Sequence, residues 1–134
     1  MGDMDSFKKV NDAFGHPIGD EILKIFAGVL AETARDAGSV ARYSGEEFVV
    51  ILPGAELWDA KELTERLRSQ RETKNLAVNK SGEEIGKITA AFGIAQLSAG
   101  MDAQRLVQRA DAKPYEAKCA GRNRVVAPER PLPA

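Results

Sequence analysis

Two short β-branched segments separated by a tight turn constrain the fold of this chain most strongly. The segments are SVARY at 39–43 and EFVVILP at 47–53, and Ser44-Gly45 lies between them. Short runs of this kind, bounded by turn residues, predict a β-hairpin. The second run is apolar almost throughout, which is typical of a strand buried on both faces of a sheet. We therefore expect a sheet at the centre of the fold.

Amphipathic helices are predicted before and after this hairpin. Apolar residues spaced by three and four predict a short helix over residues 7–14 that ends at Gly15. A longer helix follows and ends at Gly38, and later helices begin near Glu56 and at Asp102. The longer helix is expected to bury one face, which is formed by Ile18, Ile22, Ile25, Val29 and Thr33. Phe26 and Leu30 lie beside this face and widen it.

The rest of the chain predicts further strands. LAVNK, an SGEE turn at 81–84 and GKITAAFGIAQL indicate a second hairpin, and NRVVA at 123–127 offers a closing strand. Helices and strands alternate, which predicts an α/β or α+β sandwich in which helices cover the sheet. We expect one folded domain over residues 1–126 and a disordered tail over residues 127–134.

Composition and charge exclude several functional classes. A chain of 134 residues suits a single domain, and its formal net charge of −1 argues against a broad nucleic-acid-binding surface. Cys119 is the only cysteine, which excludes an intrachain disulfide and a thiolate metal cage. No apolar run approaches the roughly 18 residues of a membrane span, and no signal peptide is visible. We expect a cytoplasmic protein without direct membrane insertion.

Carboxylates at two separate turns raise the question of a metal site. Asp3 and Asp5 share one face if their segment is extended, and Glu46 could converge with them if that segment lies beside the hairpin. Glu46 and Glu47 should point apart as successive residues, so at most one of them is a direct ligand. Mg²⁺ is typically held by one or two carboxylates plus substrate phosphates. The spacing alone leaves both a nucleotide-phosphate site and a solvated rim open.

Three blocks of the sequence resemble the GGDEF domain family. The blocks are DMDSFKKVNDAFGHPIGDEIL, ARYSGEEFVVILPG and RADAKPYEAKCAGRNRVV. The second resembles the family's R-Y-G-G-[DE]-E-F hairpin, and the other two resemble the motifs that precede and follow it. The blocks occur in family order and spacing and cover nearly the whole chain. The resemblance implies a central, mainly antiparallel sheet flanked by helices, related to the palm of nucleotidyl cyclases.

The resemblance also implies a function. Active members of the family are diguanylate cyclases, which condense two GTP molecules into cyclic di-GMP and release pyrophosphate. They depend on Mg²⁺ or Mn²⁺ and act as homodimers in which each subunit presents one GTP. Sensory or effector domains are then expected in the full-length protein. The alternative is a catalytically inactive GGDEF domain that binds GTP or a protein partner and has a regulatory role.

Each matched motif position implies a role for a residue of this chain. Asp3, the Met4 carbonyl and Glu46 would hold the metal, and Glu46 would also accept the proton of the attacking 3′-hydroxyl. Lys8 would stabilise the transition state. The implied substrate contacts are those of Asn11 and Asp20 with the guanine edge, of Gly45 beside the phosphates, and of Lys118 and Arg122 with the triphosphate.

Several positions depart from the family pattern. Ser44 replaces the first glycine of the signature hairpin, a small change in bulk. Pro114 stands inside the last helix, where proline costs about 3 kcal/mol and is expected to disturb Lys118. The product-inhibition motif R-x-x-D is degenerate, because Arg35 is kept but Gly38 replaces the aspartate, and Arg66 matches a second arginine of that site. We therefore expect weak or absent feedback binding of cyclic di-GMP.

The beginning of the chain departs as well. Family domains have a helix and a strand before the position of Asp3, whereas only Met1-Gly2 precede it here. We therefore expect a GGDEF domain that lacks its first helix and strand. Loss of a central strand would open an edge in the sheet, invite self-association and leave Asp3 mobile.

Overall fold

The computed structural model describes residues 1–5, 7–72, 75–77 and 84–128, in which strands and helices alternate along the chain. The elements are β1 (Gly2–Met4), α1 (Phe7–Phe14), α2 (His16–Ala34), β2 (Ser39–Ser44), β3 (Glu47–Ile51), α3 (Leu57–Glu72), β4 (Asn75–Ala77), β5 (Glu84–Lys87), β6 (Ala90–Gly93), α4 (Ala103–Cys119) and β7 (Val125–Val126). The predicted helices and the first predicted hairpin are all present.

A five-stranded mixed sheet forms the centre of the fold. Its strand order is β2-β3-β1-β6-β7. The neighbouring strands are antiparallel except for β6 and β7, which are parallel. β4 and β5 form a separate antiparallel pair. The predicted architecture, a central and mainly antiparallel sheet flanked by helices, is therefore confirmed.

Residues Gly2–Met4 form the central strand of this sheet. β1 pairs with β3 on one side and with β6 on the other. Met4 is fully buried, and a Cβ at Gly2 would lie only 2.7 Å from the Phe92 ring. The expectation of an open edge beside Asp3 was therefore wrong, because three residues are enough to bridge β3 and β6.

The two faces of the sheet carry different helices. Phe48 and Phe92 point towards α2, where the Phe26 ring lies 5.2 and 6.4 Å from theirs between centroids. Side chains alternate along a strand, so Asp3 and Glu47 point to the opposite face. α4 covers part of that face and packs tightly against Gly93, where a Cβ would lie 2.0 Å from Lys113 Cβ. The acidic residues of β1 and β3 thus lie on the α4 side.

Two predicted buried faces differ from those observed. Ile25 is 41% exposed, because α2 turns Phe26 and Leu30 towards the sheet. Ile51 is 58% exposed, so β3 is not buried on both faces as predicted. α4 packs on β6 and β7 and leaves the end of β3 uncovered on its own side. A strand can be apolar throughout and still carry a helix on only one of its faces.

Pro114 does not interrupt α4, which continues from Ala103 to Cys119. Its ring packs against β6, where a Cβ at Gly93 would lie 2.7 Å from Pro114 Cδ. Lys118, one turn later, still reaches β1. The expected disturbance of Lys118 is therefore not observed.

Parts of two further predictions lie outside the described residues. These parts are residues 78–83 of the second hairpin, with most of its SGEE turn, and residues 129–134 of the tail. The return strand of that hairpin is divided between β5 and β6, and Ile88 between them is buried. None of the helices in the described ranges combines the length and the hydropathy needed to cross a membrane.

Candidate active site

Three oxygens converge on the ammonium group of Lys118. Its Nζ lies 2.9 Å from Asp3 Oδ1, 3.4 Å from the Met4 carbonyl oxygen and 4.0 Å from Glu46 Oε1. Asp3 and Met4 belong to β1, whereas Glu46 belongs to the turn between β2 and β3. The structure therefore brings together the three residues that were predicted to hold a metal.

The turn between β2 and β3 places Glu46. Ser44 pairs with Glu47, so Gly45 and Glu46 form the turn itself. Gly45 has a φ of +30°, a conformation that favours glycine, and its carbonyl accepts a hydrogen bond from Arg42 Nε at 2.9 Å. The Met4 amide donates to the Glu46 carbonyl at 3.2 Å, which fastens the turn to β1.

Glu46 and Glu47 have different partners, as expected of successive residues. Glu47 accepts a hydrogen bond from Ser44 Oγ at 3.1 Å. Burial, together with a hydrogen bond to Asp111 of α4, raises the pKa of Glu47 above its ordinary value. The serine that replaces a family glycine thus supports the second glutamate and leaves Glu46 to the Lys118 cluster.

The electrostatics of this cluster suit a cation. Burial, and then the neighbouring Asp3 carboxylate, raise the pKa of Glu46, while Lys118 acts in the opposite direction. The donor set consists of two carboxylates and a main-chain carbonyl, which are the oxygen ligands that Mg²⁺ and Mn²⁺ prefer. No group of three His, Cys, Asp or Glu side chains is arranged for a metal within the described ranges. Two carboxylates with one carbonyl leave coordination positions for phosphate oxygens.

Asp5 does not join the cluster, so its predicted convergence with Asp3 and Glu46 was wrong. Its Oδ2 accepts hydrogen bonds from Thr89 Oγ1 at 2.6 Å and from the Asn123 amide at 2.9 Å. β1 ends at Met4, and the extended geometry that would align Asp3 with Asp5 ends there too. The side chain of Asp5 therefore points into the protein.

The predicted guanine contacts lie on two neighbouring helices. Asn11 belongs to α1 and packs against α2 at Gly19, where a Cβ would lie 1.8 Å from Asn11 Oδ1. This oxygen is buried and has no hydrogen-bond partner among the described residues. Asp20, the next residue of α2, is exposed and lines a groove of about 540 Å³ between α2 and β2 with Leu23 and Arg42.

Lys8 and Arg122 are the predicted cations that remain. Lys8 is exposed on the first turn of α1, and Arg122 is exposed in the loop after α4. Neither forms an ion pair with another described residue, in contrast to Lys118. Both side chains are therefore available to an anionic ligand.

The predicted inhibitory arginines lie away from the Lys118 cluster. Arg66 lines a groove of about 650 Å³ between the end of α2 and α3, with Asp59, Glu62 and Glu65 nearby. Arg35 is exposed and pairs with neighbouring carboxylates, at 3.5 Å from Glu32. A Cβ at Gly38 would lie 1.9 Å from the Ile51 carbonyl oxygen, so this backbone has no room for the missing aspartate. Weak product binding stays a prediction.

Sequence reasoning missed Asn123. Its amide donates to Asp5, and its side-chain oxygen accepts a hydrogen bond from Arg68 Nη1 at 3.0 Å. A signal was present, because Gly121-Arg122-Asn123 follows the last predicted helix and asparagine tolerates the left-handed conformation. Asn123 thus ties the loop after α4 to the residue that follows β1 and to α3.

Comparison with known protein families gives a match over most of the chain. The family model described as "Diguanylate cyclase, GGDEF domain" matches residues 1–124. Diguanylate cyclase VdcA of Vibrio cholerae is 40% identical over 126 residues, which are 94% of this chain and 37% of VdcA. Response regulator PleD of Caulobacter vibrioides is 44% identical over 125 residues, which are 92% of this chain and 27% of PleD. The chain thus spans well under half the length of these two relatives.

Solved structures give the same result. The GGDEF domain of DgcB from Caulobacter crescentus, solved in complex with cyclic di-GMP, has a TM-score of 0.92 and 35% identity, with 96% of this chain and 73% of that chain covered. Diguanylate cyclase SiaD from Pseudomonas aeruginosa, solved with its activator SiaC, has a TM-score of 0.87 and 35% identity, with coverages of 95% and 48%. The family match over residues 1–124 and these likenesses establish that the chain belongs to the GGDEF domain family.

Proposed function

We propose that this chain is a diguanylate cyclase domain, which condenses two GTP molecules into cyclic di-GMP with release of pyrophosphate. The observation that carries the proposal is the convergence of Asp3, Met4 and Glu46 oxygens on one point, which the Lys118 ammonium contacts. Exposed cations follow the site residues closely in the sequence, Lys8 after Asp3 and Arg122 after Lys118, and they would suit a triphosphate. The cyclase names of VdcA and other relatives support the same assignment.

Asp3, the Met4 carbonyl and Glu46 are the residues that would hold Mg²⁺ or Mn²⁺. Their oxygens fit a hard divalent cation and leave room for substrate phosphates. When bound, such an ion lowers the pKa of a coordinated hydroxyl and neutralises charge that develops on a reacting phosphate.

The cations of the chain bind and stabilise the triphosphate. When the nucleotide binds, the Lys118 side chain moves so that its ammonium group leaves the oxygens of Asp3 and Glu46 and contacts the phosphates. Arg122 approaches them from the loop after α4, and its planar guanidinium can contact two phosphate oxygens together. Lys8, on the first turn of α1, stabilises the charge of the transition state.

Glu46 accepts the proton of the attacking 3′-hydroxyl. Its carboxyl group is partly buried and lies at the point where the other site oxygens meet. In the absence of a cation, burial and the neighbouring Asp3 carboxylate raise the pKa of Glu46. A Cβ at Gly45 would meet no atom within 4 Å, so the space beside the turn is open to the phosphates.

Asn11 and Asp20 select guanine. The Asp20 carboxylate accepts from the N–H groups of the guanine edge, while the Asn11 amide offers both a donor and an acceptor. Adenine lacks the paired N–H groups that a carboxylate would accept, so the same residues disfavour ATP. Asn11 Oδ1 is buried without a hydrogen-bond partner among the described residues, so the Asn11 amide would have to turn outward to meet the base.

The product contains two nucleotides, and each chain carries one Lys118 cluster. We therefore propose that catalysis takes place in a homodimer whose two sites face each other, each presenting one GTP. Sensory or effector domains of the full-length protein would control how the two sites meet. The cytoplasm, which supplies GTP, is the proposed location.

A GGDEF domain that binds GTP without turnover is the second candidate. The ion pair of Lys118 with Asp3 favours it, because a strong pair could keep a metal out of the site. Pro114 and Ser44 give it less support, because α4 is continuous and Ser44 hydrogen-bonds Glu47.

Product formation separates the two candidates. The chain is incubated with Mg²⁺ and GTP, and cyclic di-GMP is quantified by chromatography. Glu46→Gln should lower the rate by about 100-fold or more, the effect of losing a general base. Glu56→Gln, at an exposed position before α3, is the matched control and should retain the parent rate. A parent that is folded by circular dichroism and binds GTP but forms no product would establish the second candidate.

A further inference from the structure

Asp5 is buried outside the cluster that would hold the metal. Its side chain is 5% exposed, and its Oδ2 accepts two hydrogen bonds, from Thr89 Oγ1 and from the Asn123 amide. The Asp5 amide also donates to the Thr89 carbonyl at 2.9 Å. Burying a carboxylate is unfavourable unless hydrogen bonds or charges compensate it. Oδ2 is compensated in this way, whereas Oδ1 is buried without a hydrogen-bond partner among the described residues, and this cost indicates a purpose for Asp5 beyond filling space.

The bond to Asn123 reaches a loop with an unusual backbone. Gly121, Arg122 and Asn123 have successive φ values of +125°, +63° and +42°. Positive φ is disfavoured for residues that carry a Cβ, and it persists where the surroundings hold it. Asp5 supplies such a restraint, because it accepts from the amide of the second of the two non-glycine residues.

A second restraint comes from α3. Arg68 Nη1 donates to Asn123 Oδ1 at 3.0 Å, and Arg68 is itself paired with Glu65 of the same helix. Asn123 is thus held at its amide by Asp5, the residue after β1, and at its side chain by Arg68 of α3. Arg122, just before it, donates its amide to the Ala117 carbonyl at 2.9 Å and keeps its side chain exposed.

We propose that Asp5 is a positioning residue that fixes the left-handed backbone at Arg122 and Asn123 and so aims the Arg122 guanidinium at the triphosphate. The inference rests on the proposed function, which gives Arg122 its role. The segment that supplies Asp3 and Met4 to the metal also ends in Asp5. One short stretch of chain therefore fixes the position of the metal-binding oxygens relative to the phosphate-binding loop. Because the loop is ordered before GTP binds, less conformational entropy is lost on binding.

The first test needs no nucleotide. Amide hydrogen exchange is measured by NMR in the parent, in Asp5→Ala and in Asp12→Ala, an exposed carboxylate on α1. Asp5→Ala should speed exchange at Asn123 by roughly tenfold or more and leave the amides of α2 unchanged, whereas Asp12→Ala should change neither. Unchanged exchange at Asn123 in Asp5→Ala would overturn the proposal.

The second test measures binding by calorimetry, with a GTP analogue that cannot react at its α-phosphate and with guanosine. Asp5→Ala should lower the affinity for the GTP analogue by roughly tenfold and leave the affinity for guanosine unchanged. The reason is that the loop that loses its fixed backbone contacts only the phosphates. Asp5→Asn should recover most of that affinity, because its amide oxygen can accept the same two hydrogen bonds. Equal weakening of both ligands would contradict a role at the phosphates.

A double-mutant cycle shows whether Asp5 acts through Arg122. In an Arg122→Ala background, Asp5→Ala should cause no further loss of triphosphate affinity, because coupled residues are not additive. A full additional loss would overturn the inference. If the parent binds no GTP, the proposed function is wrong and Arg122 has no role at a triphosphate. If the parent binds GTP normally but Asp5→Ala leaves exchange at Asn123 unchanged, only the inference about Asp5 is wrong.

Discussion

Lys118 Nζ lies 2.9 Å from Asp3 Oδ1, so a side chain proposed to grip the triphosphate is paired with a carboxylate proposed to hold the metal. The same ammonium donates to the Met4 carbonyl at 3.4 Å. Lys118 thus compensates part of the negative charge of the site in the absence of a divalent cation. A metal and its nucleotide must then arrive at oxygens that already have a positive partner.

This competition predicts the behaviour of Lys118→Met towards a metal alone. Without the ammonium group, the negative charges of Asp3 and Glu46 are less compensated. A divalent cation that binds between them is then stabilised more strongly. Mn²⁺ affinity without nucleotide, measured by electron paramagnetic resonance, should rise by roughly tenfold. Affinity for GTP should fall in the same variant. Lys9→Met, at an exposed position of α1, is the control. An unchanged Mn²⁺ affinity in Lys118→Met would count against competition between the ammonium group and the metal.

Gly19→Ala should impair guanine binding. A Cβ at this position would lie 1.8 Å from Asn11 Oδ1, so the Asn11 amide, which is proposed to contact guanine, must move. We expect GTP affinity to fall by roughly tenfold and the preference for GTP over ATP to shrink. Gly28→Ala is the matched control, because it lies on the same helix and its Cβ would meet no atom within 4 Å. Retained preference for GTP in Gly19→Ala would contradict the role of Asn11.

Gly38→Asp should not restore product inhibition, although it completes the R-x-x-D motif. The new Cβ would lie 1.9 Å from the Ile51 carbonyl oxygen, and the backbone between α2 and β2 would have to shift. Strain of this kind costs about 1–3 kcal/mol, so the midpoint of urea unfolding should fall. Cyclic di-GMP affinity at the groove beside Arg66 should remain weak in calorimetric titrations. A stable variant with tight product binding would show that the backbone is not the obstacle.

Ser44→Gly should leave product formation nearly unchanged. The serine hydroxyl donates to Glu47 at 3.1 Å, and Glu46 has no part in that bond. Removing one exposed hydrogen bond costs about 0.5–1.5 kcal/mol of stability at most, and the rate of cyclic di-GMP synthesis should stay within about threefold of the parent. A large rise in rate would indicate that Ser44 itself restrains catalysis.

The sequence predicted most of the fold because its helices and its first hairpin carry local signals. Spacings of three and four residues, a Ser44-Gly45 turn and a β-branched run are visible without the rest of the chain. β1 carries no such signal. Three residues that include Gly2 form a strand only because β3 and β6 provide ladder partners, which no local pattern reveals.

The site residues could be identified from motifs, but their grouping could not. Spacing placed Asp3 and Asp5 together, whereas the structure joins Asp3 to Glu46 and sends Asp5 to Asn123. The reason is that the chain leaves its extended conformation after Met4. Ile25 likewise shows that an apolar residue on a helix is buried only if a neighbouring element covers that side.

The proposed function assigns Asp3 and Glu46, but not Asp5, to one metal site. Its most direct test is Mn²⁺ binding, measured by electron paramagnetic resonance with the unreactive GTP analogue present, in Asp3→Asn, Glu46→Gln and Asp5→Asn. Asp3→Asn and Glu46→Gln should each weaken Mn²⁺ binding by roughly tenfold or more, while Asp5→Asn should keep nearly the parent affinity. Equal weakening in all three variants, or normal binding in Asp3→Asn, would contradict this assignment of ligands.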